Sequence, residues 1–94
     1  MAAKESEIQA QIRDYLQWTG WFVVKIHQSL GSYKGIADLY AIKNGRSVWI
    51  EVKTEKGVQS KYQELFEGLI VSFGGEYVLA RCVADVEYLN GREA

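Results

Sequence analysis

A two-residue turn in the middle of the chain constrains its fold more than any other feature. Asn44-Gly45 separates two runs rich in apolar and β-branched residues, Ile36 to Ile42 and Arg46 to Thr54. Asn-Gly favours a type I′ hairpin, because both central residues need positive φ and the turn's twist matches that of paired strands. With these two residues as the loop, Lys43 pairs with Arg46, Ile42 with Ser47, Tyr40 with Trp49, and Asp38 with Glu51. Side chains alternate along a strand, so Asp38, Tyr40, Trp49, Glu51 and Lys53 share one face. Directly opposed β-carbons lie about 4.5–5.5 Å apart, and like charges placed so destabilise a sheet. Protonating one carboxyl relieves the repulsion. A bound divalent cation with oxygen ligands relieves it equally well. The plainer alternative is an exposed polar sheet face. Against it, Ile50-Glu51-Val52 sets the charge between two apolar residues.

The remaining elements follow from periodicity. Ile8, Ile12, Tyr15 and Leu16 have helical spacing, predicting a helix from about Lys4 to Trp18 that stops at Gly20. Trp21 to His27 reads as a buried strand, followed by a Gly- and Ser-containing loop, Gln28 to Gly35. Val58, Tyr62, Leu65, Phe66, Leu69, Ile70 and Phe73 mark a second helix with a wide apolar stripe, Ser60 and Gln63 at capping-box spacing, and Gly74-Gly75 at its end. Tyr77 to Ala80 is a short strand, and Val83, Val86 and Leu89 suggest a last short helix before Gly91. Helices flanking a strand meander imply a sheet covered on both faces.

Composition narrows the class. Ninety-four residues make one small domain, taken as 1–94, and so small a core gains from a partner subunit. No apolar run approaches the ~18 residues of a membrane span, and Met1 to Glu5 lacks the apolar core of a signal peptide. The single cysteine, Cys82, excludes an internal disulfide and a CxxC-type metal site, so a cytoplasmic location is expected. The net charge of −1 argues weakly against a nucleic-acid partner, but its distribution does not. Between Lys25 and Lys61 seven basic residues (Lys25, Lys34, Lys43, Arg46, Lys53, Lys56, Lys61) face three acids (Asp38, Glu51, Glu55). That segment could face phosphate, or be an ordinary solvated surface.

Gly35-Ile36-Ala37-Asp38-Leu39 followed by Ile50-Glu51-Val52-Lys53-Thr54 resembles the PD-(D/E)xK nuclease signature. More closely, the chain resembles the short stand-alone VRR-NUC nucleases over nearly its whole length. The match includes Glu5 ahead of Ile8-Gln9, the stretch Lys25-Ile26-His27, Lys34-Gly35, and Gly57 with Ser60 and Gln63. Ala37 departs from the family's usual proline, which puts the geometry at the start of the strand in question more than activity. The resemblance implies a restriction-endonuclease-like α/β fold, ordered α-β-β-β-α-β-α, with a central mixed sheet flanked by helices. It implies Mg²⁺- or Mn²⁺-dependent hydrolysis of DNA phosphodiesters by a homodimer, on branched DNA such as four-way (Holliday) junctions. Asp38, Glu51 and the Val52 carbonyl would be metal ligands, and Lys53 would orient the attacking water and offset charge on the phosphate.

Other residues carry two readings. Glu5 is either a further metal ligand or a favourable charge at a helix N-terminus. Gln63 is either an active-site residue or the capping partner of Ser60. His27, Lys34 and Lys56 are candidates for contacting the nucleic acid, against structural or solvated roles. Two other functions compete with the nuclease: a catalytically silent DNA-binding module of the same fold, and an α/β interaction domain in which Asp38 and Glu51 are not neighbours.

Overall fold

The computed structural model describes residues 3–29 and 32–91. The elements in chain order are helix α1 (Glu5–Trp18), strands β1 (Phe22–Lys25), β2 (Leu39–Lys43) and β3 (Arg46–Val52), helix α2 (Lys61–Ser72), strand β4 (Tyr77–Ala80) and a 3₁₀ helix, α3 (Val83–Asn90). The sheet is mixed, in the order β1-β2-β3-β4, with β3 and β4 parallel and the other pairs antiparallel. The α-β-β-β-α-β-α order and flanked mixed sheet are those expected from the sequence.

The hairpin is the predicted one. Asn44 and Gly45 have φ of 51° and 83°, and the ladder pairs Lys43 with Arg46, Tyr40 with Trp49 and Leu39 with Ile50. One face of the sheet presents Leu39, Ala41, Val48, Ile50 and Val52, all fully buried beneath Ile8, Ile12 and Leu16 of α1 and Val86 and Leu89 of α3. Burial of a side chain of this size contributes roughly 1.5–3 kcal/mol, which makes this layer the main source of stability. Asn90 ties α3 to α1: its carbonyl accepts the Trp21 indole N–H (2.8 Å), and its amide donates to the Tyr15 hydroxyl (2.8 Å).

The opposite face is packed by aromatics. Tyr40 and Trp49 form the expected cross-strand pair, ring centroids 4.6 Å apart, and Phe66 of α2 meets Trp49 edge-on at 5.3 Å. Here the wide apolar stripe on α2 is only partly used. Phe66 is its one buried residue, while Tyr62, Leu65, Leu69 and Phe73 are exposed.

Of the strand boundaries that differ from the sequence reading, three bear on the site. β1 ends at Lys25, so His27 lies in the connecting segment; only the Ile26 N–H continues the pairing, donating to the Asp38 carbonyl at 2.8 Å. β2 begins at Leu39 and β3 ends at Val52. Ladder pairing therefore stops one step before the Asp38–Glu51 pair, for a reason visible in Asp38 itself.

Candidate active site

In a continued ladder the Val52 N–H would meet the Ala37 carbonyl. Instead the Asp38 Oδ2 accepts it at 2.8 Å, and the Asp38 N–H turns to the Ile50 carbonyl at 3.0 Å. Asp38 and Leu39 together address Ile50, as two residues address one in a β-bulge. The carboxylate thus stands in for a backbone acceptor. Asp38 remains beside Glu51, and its charge helps raise the Glu51 pKa.

The loop before Asp38 reaches this place because of Gly35. It has φ of 80°, and a β-carbon there would sit 2.1 Å from the Tyr62 carbonyl oxygen. Only glycine lets this loop lie against the first turn of α2, which brings Asp38 and Gln63 to one site.

Glu51 is the one buried charged residue described, 1% exposed beneath that turn. Its Oε2 accepts 2.6 Å from Gln63 Nε2 and lies 3.8 Å from Lys53 Nζ. Its Oε1 is buried without a hydrogen-bond partner among the described residues. Burial and then the Asp38 charge push the Glu51 pKa up to about 8, against the lowering effect of Lys53. Burial also raises Asp38, opposed by the Val52 hydrogen bond and by Lys53 and Lys25. Two carboxyls held above their ordinary range, with one orphaned oxygen, form a site short of positive charge. That donor set fits a hard divalent cation.

Gln63 caps α2 and reaches Glu51 at once. Its Oε1 accepts from the Ser60 N–H (2.8 Å) and its own N–H donates to Ser60 Oγ (3.2 Å), while its amide NH₂ serves Glu51. Glu5 is exposed at the start of α1, and its negative charge contributes to raising Glu51. Among the described residues no three His, Cys, Asp or Glu side chains converge as a ready-made ion site, so Glu5 does not complete a cluster with Asp38 and Glu51. Glu7 is exposed and caps α1 by accepting the Lys4 N–H at 2.8 Å.

The basic residues divide between the two ends of the sheet. At the hairpin end, Lys43 donates to the Thr19 carbonyl (2.7 Å), and Arg46 makes two hydrogen bonds to Glu76 (2.8 and 2.9 Å), so both are occupied in holding the fold. At the carboxylate end, Lys25 and Lys53 act electrostatically on Asp38. His27 and Lys56 are exposed, and Lys34 lies 4.9 Å from the centroid of the Tyr62 ring. Gln28, unremarked in the sequence beyond opening the loop, donates to Asp38 Oδ1 (3.2 Å) and to the Ile36 carbonyl (2.8 Å). A glutamine in a polar loop gives no spacing signal of such a role.

No described helix is long and apolar enough to cross a membrane. Comparison with known proteins agrees with the geometry. The family model described as archaeal Holliday junction resolvase (Hjc) matches residues 1–88. A solved structure described as a VRR_NUC domain superposes with a TM-score of 0.81 at 20% identity, covering 98% of this chain and 100% of that one. At that identity the likeness is one of fold. A comparison with curated proteins gives no significant match.

Proposed function

Because the chain belongs to the archaeal Holliday junction resolvase family, within the PD-(D/E)xK nuclease superfamily, we propose that it is a Mg²⁺- or Mn²⁺-dependent endonuclease that hydrolyses DNA phosphodiesters, acting on branched DNA such as four-way junctions. The observation that carries this reading is the buried, unpartnered Oε1 of Glu51 beside the Asp38 carboxylate. A carboxylate is stable in such a place when a cation takes the orphaned lone pairs.

Asp38 and Glu51, with the Val52 carbonyl, would hold the ion. Glu5, outside that group, would reach it through water. When bound, such an ion polarises the scissile phosphate and lowers the pKa of a water. The Val52 N–H and Gln28 fix the Asp38 carboxylate, and Gln63 fixes that of Glu51, so neither must reorganise when the ion enters. Lys53, its side chain 14% exposed, would orient the attacking water and offset charge growing on the phosphate. His27, Lys34 and Lys56 would contact flanking phosphates as positioning groups.

A homodimer suits a four-way substrate, since two-fold symmetry presents two sites to two strands. The unused stripe of α2 supports it. Tyr62, Leu65, Leu69 and Phe73, with Tyr33 beside them, are between 42% and 87% exposed. At about 200 Å² for each large side chain this is roughly 600 Å² of apolar surface. That equals the upper end for a monomer's largest patch and supplies most of the ~800 Å² each partner gives a stable interface.

The test is a cleavage panel of linear duplex, single strand, flap, splayed arm and four-way junction, each with Mg²⁺ and with Mn²⁺. Preferential nicking of the junction is expected. Junction binding without cleavage of any substrate would instead identify a silent DNA-binding module.

A further inference from the structure

The Lys53 ammonium makes no short hydrogen bond among the described residues. Its Nζ is 3.8 Å from Glu51 Oε2, well beyond the ~2.7–2.9 Å of a strong charge-assisted hydrogen bond. Its position therefore depends on the packing of its stem and on the backbone, and β3 has already ended at Val52. Two consecutive residues at the end of β4 supply the restraint. The Ala80 carbonyl accepts the Lys53 N–H at 3.0 Å. The next residue, Arg81, places Nη1 against the carbonyls of Thr54 (2.6 Å), Gly57 (2.7 Å) and Glu55 (3.1 Å). Arg81 is anchored in turn, its N–H donating to Asp85 Oδ2 at 2.8 Å. Among the described residues no carboxylate pairs with its guanidinium. Its charge is directed at the three carbonyls.

We propose that Arg81 is a positioning residue for DNA cleavage, whose guanidinium clamps the 54–57 turn and so holds Lys53 and Lys56 in register with the two carboxylates. The turn is bounded by site residues on both sides. Lys53 precedes it, and Ser60 with Gln63, the amide that reaches Glu51, follows it. Without the clamp three carbonyls lose a charged donor, and the turn gains freedom that is transmitted first to Lys53. An arginine suits this task because it stays protonated throughout the working pH range, and the two N–H groups of Nη1 serve the three carbonyls, one of them shared.

This inference rests on the nuclease reading for its catalytic consequence, and its structural half can be read separately. Arg81→Ala and Arg81→Lys are compared with the wild-type chain. Single-turnover cleavage of a four-way junction is followed with Mn²⁺, junction binding with Ca²⁺, and amide hydrogen exchange along residues 53–60. In Arg81→Ala, cleavage should slow about 10- to 100-fold, the cost of a small misplacement of a catalytic group. Binding should change much less, and exchange at 54–57 should quicken by about tenfold or more. Arg81→Lys, with three donors on a shorter arm, should recover part of both. A cleavage rate within twofold of wild type overturns the proposal, as does slow cleavage with unchanged exchange at 54–57. Should Arg81→Ala fail to fold, the same two outcomes are decided on Arg81→Met, which keeps the apolar stem and removes the donors. If the wild-type chain cleaves no DNA, the nuclease reading fails instead, and unchanged exchange in Arg81→Ala would still refute the clamp.

Discussion

Replacing Glu51 with glutamine should stabilise the metal-free protein, and increasingly so as pH rises. The substitution keeps the shape and leaves an acceptor for the Gln63 amide, but removes the ionisable group. In the folded chain Glu51 titrates at about 8, against an ordinary value of 4.5. The native state therefore binds this proton more tightly than the unfolded state. Its contribution to stability is present in full below about pH 4.5 and declines as pH rises towards 8. At about 1.4 kcal/mol per tenfold change in proton affinity, that interval corresponds to on the order of 5 kcal/mol. Water entry and side-chain relaxation around the carboxylate reduce the measured difference to about 2–4 kcal/mol. A small domain has only about 5–15 kcal/mol in all. Even 2 kcal/mol would raise the melting temperature by about 8–16 °C. The assay is urea and thermal denaturation of wild type and Glu51→Gln in EDTA, from pH 5 to pH 9. The two should nearly coincide at pH 5 and diverge by pH 9, with the variant more stable. Mn²⁺ should then close the gap by stabilising the wild type alone. A constant offset across pH, or a variant less stable at pH 9, would refute the account of Glu51 as a buried carboxylate awaiting a cation.

Other perturbations test separate links. Lys53→Ala should abolish cleavage and leave Mn²⁺ affinity, followed by calorimetry, within a few-fold of wild type; loss of the fold would show a structural lysine instead. Asp38→Ala should lose metal binding and also cost about 1–3 kcal/mol in denaturant unfolding, because the Val52 N–H loses its acceptor. Gly35→Ala should destabilise by more than about 1–3 kcal/mol, since positive φ and collision with the Tyr62 carbonyl act together. Leu65→Glu should shift sedimentation from dimer to monomer without unfolding the chain, because Leu65 is exposed on α2 and outside the buried core.

Much of this protein was determined by sequence alone, because its strongest signals are local. Asn44-Gly45 selects its turn through φ preferences of two residues, and the register of five residue pairs between β2 and β3 follows by counting. The helical spacing of Ile8, Ile12 and Leu16 needs only a 3.6-residue period to predict which side of α1 is buried. The same counting put Asp38 and Glu51 together, one step further than the ladder runs. Tertiary structure decided what local rules cannot carry. Whether Asp38 continues the strand depends on its carboxylate competing with the neighbouring Ala37 carbonyl for the N–H of Val52, 14 residues along the chain. Which basic residues remain free depends on partners far along the chain: Thr19 takes Lys43, Glu76 takes Arg46, and the 54–57 carbonyls take Arg81. The stripe on α2 predicted burial, yet only three-dimensional packing shows that one part meets Trp49 while the rest faces outward. Turn chemistry and periodicity act over a few residues. Desolvation, orphaned oxygens and clamps arise only where segments remote in sequence compete for the same space and the same hydrogen bonds.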